Sequence, residues 1–154
     1  MNAPVNGAAI ARPGISAETL GALNIRHVGE AEAFDLVGQR FAASGLRRGG
    51  EFQINTYTSG GQRDPALAIR TTGEFVVVWS SWDQVGSHRS IQGRRYDPAG
   101  NPVGDEFQVS AYTSGLQVDP RVGMADDGRV VVVWLSDSVD GSGMGIAGRR
   151  LDAS

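Results

Sequence analysis

The chain contains no cysteine, which excludes disulfides, thiolate metal sites and a cysteine nucleophile and leaves the redox compartment open. Long apolar runs are lacking too. Nothing approaches the roughly 18 consecutive apolar residues that a membrane-spanning helix needs. The segment Met1–Gly14 has neither a charged n-region nor an apolar core, so no cleavable export signal of the usual kind is expected. There is no excess of positive charge. The net charge is -3 over 154 residues and the arginines are dispersed, which argues against nucleic acid as a partner. Histidine occurs only at His27 and His88, in non-equivalent places and short of the three or four ligands of a zinc site. No Gly-x-Ser-x-Gly elbow, P-loop or dinucleotide fingerprint is present, although a catalytic set scattered along the chain would leave no such mark.

Glycine is abundant. Its 22 occurrences, together with 40% hydrophobic and 20% charged residues, describe a folded chain with many tight turns. The glycines recur on a period. Glu51–Phe52–Gln53 matches Glu106–Phe107–Gln108, and Tyr57–Thr58–Ser59–Gly60 matches Tyr112–Thr113–Ser114–Gly115. Asp64–Pro65 falls on Asp119–Pro120, Val76–Val77–Val78–Trp79 on Val131–Val132–Val133–Trp134, and Gly93–Arg94–Arg95 on Gly148–Arg149–Arg150. At a shift of 55 residues, 23 of 49 aligned positions are identical without a gap. The same shift carries Gly93–Arg94–Arg95–Tyr96 back to Gly38–Gln39–Arg40–Phe41, so the repeat is legible from about residue 36. A fixed period of this size marks propellers and solenoids.

Each period holds four strand-like runs. Pro65–Arg70 is followed by a turn at Thr71–Gly73, whose counterpart Asp126–Asp127–Gly128 carries the Asp-Gly hairpin signal. Phe75–Trp79 is apolar without alternation, so both of its faces should be covered. Ile91–Tyr96 ends at the turn cluster Asp97–Pro102, and Glu106–Ser110 alternates polar and apolar residues. The expected fold is all-β, with β-propeller-like blades of four antiparallel strands built from the 55-residue repeat, in preference to a sandwich or a β-solenoid. The expected organisation is a leader over residues 1–35 and a repeat domain over 36–154 that starts and ends in mid-unit. Within the leader, residues 1–12 are expected to be disordered. Residues 15–24 are expected to form a short helix capped by Ser16, with Leu20 and Leu23 at helical spacing. Such a leader would cover an end or an edge strand of the array, or be a fusion remnant with no packed role.

The succession Gly38–Gln39–Arg40–Phe41, Gly50–Glu51–Phe52–Gln53–Ile54–Asn55–Thr56, Gln62, Asp64–Pro65–Ala66 and Gly73–Glu74–Phe75–Val76–Val77–Val78–Trp79–Ser80–Ser81 resembles a tandem repeat of bacterial extracellular proteins. Those repeats occur in long arrays within adhesin-like or RTX-type polypeptides. The resemblance implies a propeller-like fold and an extracellular setting, and it implies no catalytic residues.

Candidate site residues are few. Trp82 occurs once in the repeat, in a loop with Asp83 and His88 nearby, and this trio is the candidate ligand contact. Asp137 and Asp140, among Ser and Gly residues, suit a hard oxygen-seeking cation such as calcium; the plain alternative is a turn that bonds its own backbone. No other cofactor is expected. Trp79 and Trp134 recur at the end of the apolar strand, where packing between units is favoured over a sugar platform. Arg95 and Arg150 share a repeat position with Arg40, and Asp64 shares one with Asp119, suggesting a clamp between strands or units.

These features favour a non-enzymatic binding or adhesion module, with carbohydrate as a candidate ligand. The alternatives are a glycan-acting hydrolase or lyase and a structural spacer from a longer array. A little over two units cannot close a ring of four to eight blades, so the partners expected are further copies of the chain or neighbouring repeats. Three chains would give six blades.

Overall fold

The structure is a computed structural model that describes residues 7–10, 20–30, 33–86, 88–111, 114–137 and 141–153, with the backbone alone for 7–10, 20–22, 24, 27, 30 and 33. The described residues form antiparallel strands and no helix. β1 (Gly7–Ile10), β2 (Leu20–Glu30), β3 (Ala33–Ala42) and β4 (Arg47–Gln53) make the first sheet, in that order. β5 (Gln62–Ile69), β6 (Phe75–Trp82), β7 (Arg89–Tyr96) and β8 (Pro102–Gln108) make the second, also in chain order. β9 (Gln117–Met124), β10 (Val130–Asp137) and β11 (Met144–Leu151) make a third sheet with β10 in the middle. The four runs read from the repeat are therefore β5 to β8.

The leader departs from expectation. Residues 20–24, read as part of a helix, lie in β2, and residues 15–19 fall outside the described set. The boundary at residue 36 falls inside β3. Register explains why the repeat faded here. Ile25 pairs with Gly38 as Val78 pairs with Gly93 and Val133 with Gly148, so β2 is the counterpart of β6 and β10. Leu23–Asn24–Ile25–Arg26 stands where the second unit has Val76–Val77–Val78–Trp79. Only alternate residues stay apolar, as suits a strand that, among the described residues, meets another sheet on one face.

The sheets stack in chain order. Leu23, Ile25, Leu36 and Ile54 of the first unit pack with Phe75, Val77, Trp79 and Tyr96 of the second in one buried cluster. Val76, Val78, Ile91 and Val109 pack with Met124, Val130, Val132 and Trp134 of the third unit in another. Successive side chains of β6 thus enter opposite cores, as the pleat requires. Val76, Val77 and Val78 are all fully buried. At roughly 1.5–3 kcal/mol per buried aliphatic side chain, β6 is the largest local source of stability.

Hydrogen bonds reinforce the stack within and between sheets. Trp79 Nε1 donates to Gln62 Oε1 at 2.9 Å and Trp134 Nε1 to Gln117 Oε1 at 2.7 Å, so each repeated indole has a buried partner in its own sheet. Arg40 Nη1 donates to the Pro98 carbonyl, and Arg95 donates to the carbonyls of Gly128 and Asp152. Arg40 and Arg95 thus clamp the first sheet to the second and the second to the third through backbone oxygens. Asp64 and Asp119 have another common feature. Each has a left-handed backbone, with φ of 53° and 52°, where a register shift interrupts pairing just before a proline. Aspartate tolerates this conformation better than most residues, which accounts for its recurrence at a bulge. The Tyr96 hydroxyl donates to the Ile54 carbonyl at 2.9 Å, and burial pushes its pKa up to about 12.

Among the described residues, the third sheet is covered on one face. Val131 and Val133 are 49% and 40% exposed, although they occupy the repeat positions of Val76 and Val78. Val76→Ala is therefore expected to cost about 2 kcal/mol, while Val131→Ala should stay within about 0.5 kcal/mol. Urea unfolding of the two variants checks this, and equal losses would contradict the stacking.

Candidate functional site

β6 runs past its buried tryptophan through Ser80 and Ser81, both buried, and ends at Trp82, which is 39% exposed. Arg89 pairs opposite Trp82 in the β6–β7 hairpin, and its guanidinium carbon lies 5.1 Å from the indole centroid. This cation–π contact fixes the ring against the strand and leaves part of it to solvent. Arg89 Nη1 also lies 4.0 Å from Asp64 Oδ2, so Trp82, Arg89 and Asp64 form a row across the sheet end.

The hairpin turn carries Asp83 and His88. The Asp83 amide donates to the His88 carbonyl at 3.3 Å, and Asp83 has a left-handed φ of 57°. Both side chains are exposed. The three residues singled out as a ligand contact therefore do occupy one hairpin end. Tyr57 joins them from the β4–β5 crossover, its hydroxyl donating to the Asp83 carbonyl at 3.1 Å. The crossover is pressed against this end. The Trp82 amide donates to the Gly61 carbonyl, and a Cβ at Gly60 would sit 2.5 Å from the Trp82 carbonyl oxygen. With a φ of 72° as well, position 60 takes glycine for both backbone and space.

Glu106 of β8 is the staple of the region. Its Oε2 accepts from the Thr56 amide at 2.8 Å and the Thr56 hydroxyl at 2.9 Å, and its Oε1 accepts from Gln84 Nε2. One carboxylate thus joins the crossover to the hairpin turn. Tyr57, Arg89 and Glu106 were not singled out in the sequence. Glu106 and Tyr57 appear in the sequence only as part of the repeat match, while Arg89 gains meaning only from its pairing opposite Trp82.

The third sheet has a different end. Asp137 stands where the second sheet has Trp82, its amide donating to the Leu116 carbonyl at 2.8 Å. Met144 replaces Arg89 and is exposed. Asp140 lies outside the described residues, so the structure does not describe the two-carboxylate loop as a unit. Among the described residues, no three His, Asp or Glu side chains gather in a metal-holding group. The backbone of His27 lies in β2, with its side chain outside the described set.

No protein-family model and no curated protein matches the sequence. Among solved structures, the fold is similar to that of the endo-arabinase from Bacteroides thetaiotaomicron VPI-5482, with a TM-score of 0.52 and 16% sequence identity. The match covers 95% of this chain and 55% of that one, so this chain spans about half the length of that structure. A likeness at this identity concerns the fold alone.

Removing the Glu106 staple should loosen this end while leaving the stack intact. Glu106→Ala is expected to cost about 1–2 kcal/mol and to speed hydrogen exchange at the Thr56 amide. An unchanged Thr56 exchange rate would show that the carboxylate does not hold the crossover.

Proposed function

We propose that the chain is a non-enzymatic carbohydrate-binding module built of propeller-like blades, with its contact surface at the hairpin end that carries Trp82. The observation that carries this reading is the exposed indole of Trp82, braced by Arg89 and flanked by Tyr57, Asp83 and His88. A sugar ring offers an apolar C–H face and an equatorial rim of hydroxyls. A fixed indole suits the face, and carboxylate, imidazole and guanidinium groups suit the rim. Rigid aromatics lose little entropy on binding, which is why a braced Trp is an effective anchor.

Blade geometry is supported by how the sheets meet. The second and third sheets meet chiefly along β5 and β9, the first strands of those sheets. Small residues there, Ala66, Ala68 and Gly123, permit the approach, and wedge-like stacking about the first strands is what a propeller requires. The likeness to an endo-arabinase makes arabinan a reasonable first ligand class. It also favours a second reading, in which the chain belongs to a glycan hydrolase. The repeat's resemblance to units of extracellular adhesin-like arrays fits surface recognition. Calcium at the Asp137–Asp140 loop belongs to the same proposal, as a brace for the equivalent hairpin.

Titration with arabino-oligosaccharides and a panel of other glycans, with and without calcium, tests this reading. Binding that Trp82→Ala weakens by about tenfold or more is expected. Release of new reducing ends from arabinan would overturn the non-enzymatic reading in favour of a hydrolase. Absence of binding across the panel would favour a structural spacer.

A further inference from the structure

β6 turns polar just before Trp82. Along the face that meets the first sheet, Phe75, Val77 and Trp79 are followed by Ser81, which is fully buried. Strand pairing sets Gln62 on one side of Ser81 and Ser90 on the other, and cross-strand partners point to the same face. Gln92 stands opposite Trp79 and donates through Nε2 to Ser90 Oγ at 2.9 Å. Gln62, Ser81, Ser90 and Gln92 are each at most 2% exposed. A row of polar side chains thus lies out of reach of bulk solvent between the first two sheets.

Two atoms of this row lack a protein partner. Trp79 Nε1 donates to Gln62 Oε1, and an indole can only donate, so the orientation of the Gln62 amide is fixed and Nε2 carries donors only. Among the described residues, neither Gln62 Nε2 nor Ser81 Oγ finds a hydrogen-bond partner. A buried polar group left in this state costs about 1–3 kcal/mol. The third sheet shows that Ser81 forgoes a bond its counterpart makes. Gln117 and Ser136 are paired as Gln62 and Ser81 are, and Ser136 donates to Gln117 Oε1 at 2.7 Å. The adjoining strand differs. Gly145 and Ala147 stand where the second sheet has Ser90 and Gln92. Gln117 Nε2 is also without a partner, but no hydroxyl opposite Ser136 completes a site there. The serine turns from its glutamine only where a second hydroxyl stands across from it.

We infer that Gln62, Ser81 and Ser90 bind one internal water between the first and second sheets. The water accepts from Gln62 Nε2 and from the Ser90 hydroxyl, whose proton is available because Ser90 Oγ already accepts from Gln92. It donates to Ser81 Oγ. Three hydrogen bonds are the usual complement of a buried water. Residues directly opposite on neighbouring strands have Cβ atoms about 4.5–5.5 Å apart, a span that one water bridges. The room comes from the two serines, which are far smaller than Trp79 and Gln92 beside them. Water, and not an ion, fits the chemistry, because no member of the row carries charge. The site ties β6 to both flanking strands at the residue before Trp82, and it does not depend on the glycan reading.

A high-resolution crystal structure of the full chain tests this directly. An ordered water is expected at about 2.7–3.2 Å from Gln62 Nε2 and from both serine hydroxyls. A direct bond between Gln62 and Ser81, or no density among the three groups, would overturn the inference. The magnetic relaxation dispersion of solvent oxygen, which reports long-lived internal waters, gives a solution readout. Ser81→Val removes one hydroxyl and fills the space, so the dispersion should fall by the share of one water. An unchanged dispersion in the folded variant would also overturn the site. The crystal structure of the unaltered chain decides the matter even should that variant fail to fold.

Discussion

The fold rests on one strand that is apolar on both faces. A β-strand sends alternate side chains in opposite directions, so Phe75–Val76–Val77–Val78–Trp79 cannot be satisfied by a single layer. It needs a sheet on either side, and the molecule supplies them from the units before and after. The first unit offers Leu23, Ile25, Leu36 and Ile54 to one face, and the third offers Val130, Val132 and Trp134 to the other. The arginine clamps and the buried Gln–Trp bonds follow from that arrangement. The arginine clamps span the gaps it creates, and the Gln–Trp hydrogen bonds satisfy the only polar atom that a buried indole brings with it.

The part of this visible in the sequence was the part that repeats under equal conditions. The valine-rich run announced burial on two sides, and the turn clusters placed the strand ends closely. The leader was misread because its environment is unequal. Among the described residues β2 meets a neighbouring sheet on one side, its other positions are polar and differ from the repeat, and two leucines at positions 20 and 23 suggested a helix. The alternation from Leu23 to Arg26 was the better signal. The repeated aspartates illustrate a second limit. Asp64 and Asp119 recur for a backbone conformation, which composition and spacing do not reveal. Trp82, Asp83 and His88 were found through local sequence proximity, whereas Arg89 and Glu106 became visible only once strand pairing set them opposite Trp82 and beneath the crossover.

The stack is chemically polar in the sense that its two ends differ. One outer face carries the Arg26–Glu51 ion pair; the other presents valines and an isoleucine drawn from the buried pattern. Among the described residues, the first sheet's outer face is thus charged and the third sheet's is apolar. The surface proposed for ligand contact lies at the strand ends and not on either outer face.

The most direct measurement of the central claim is a methyl NOE experiment on the labelled chain. Stacked sheets predict that Val77 methyls show contacts to residues of the first unit, among Leu23, Ile25, Leu36 and Ile54. Val76 and Val78 should show them to Val130 or Val132 of the third. Contacts of all three valines to a single neighbouring unit, or to none, would contradict the account.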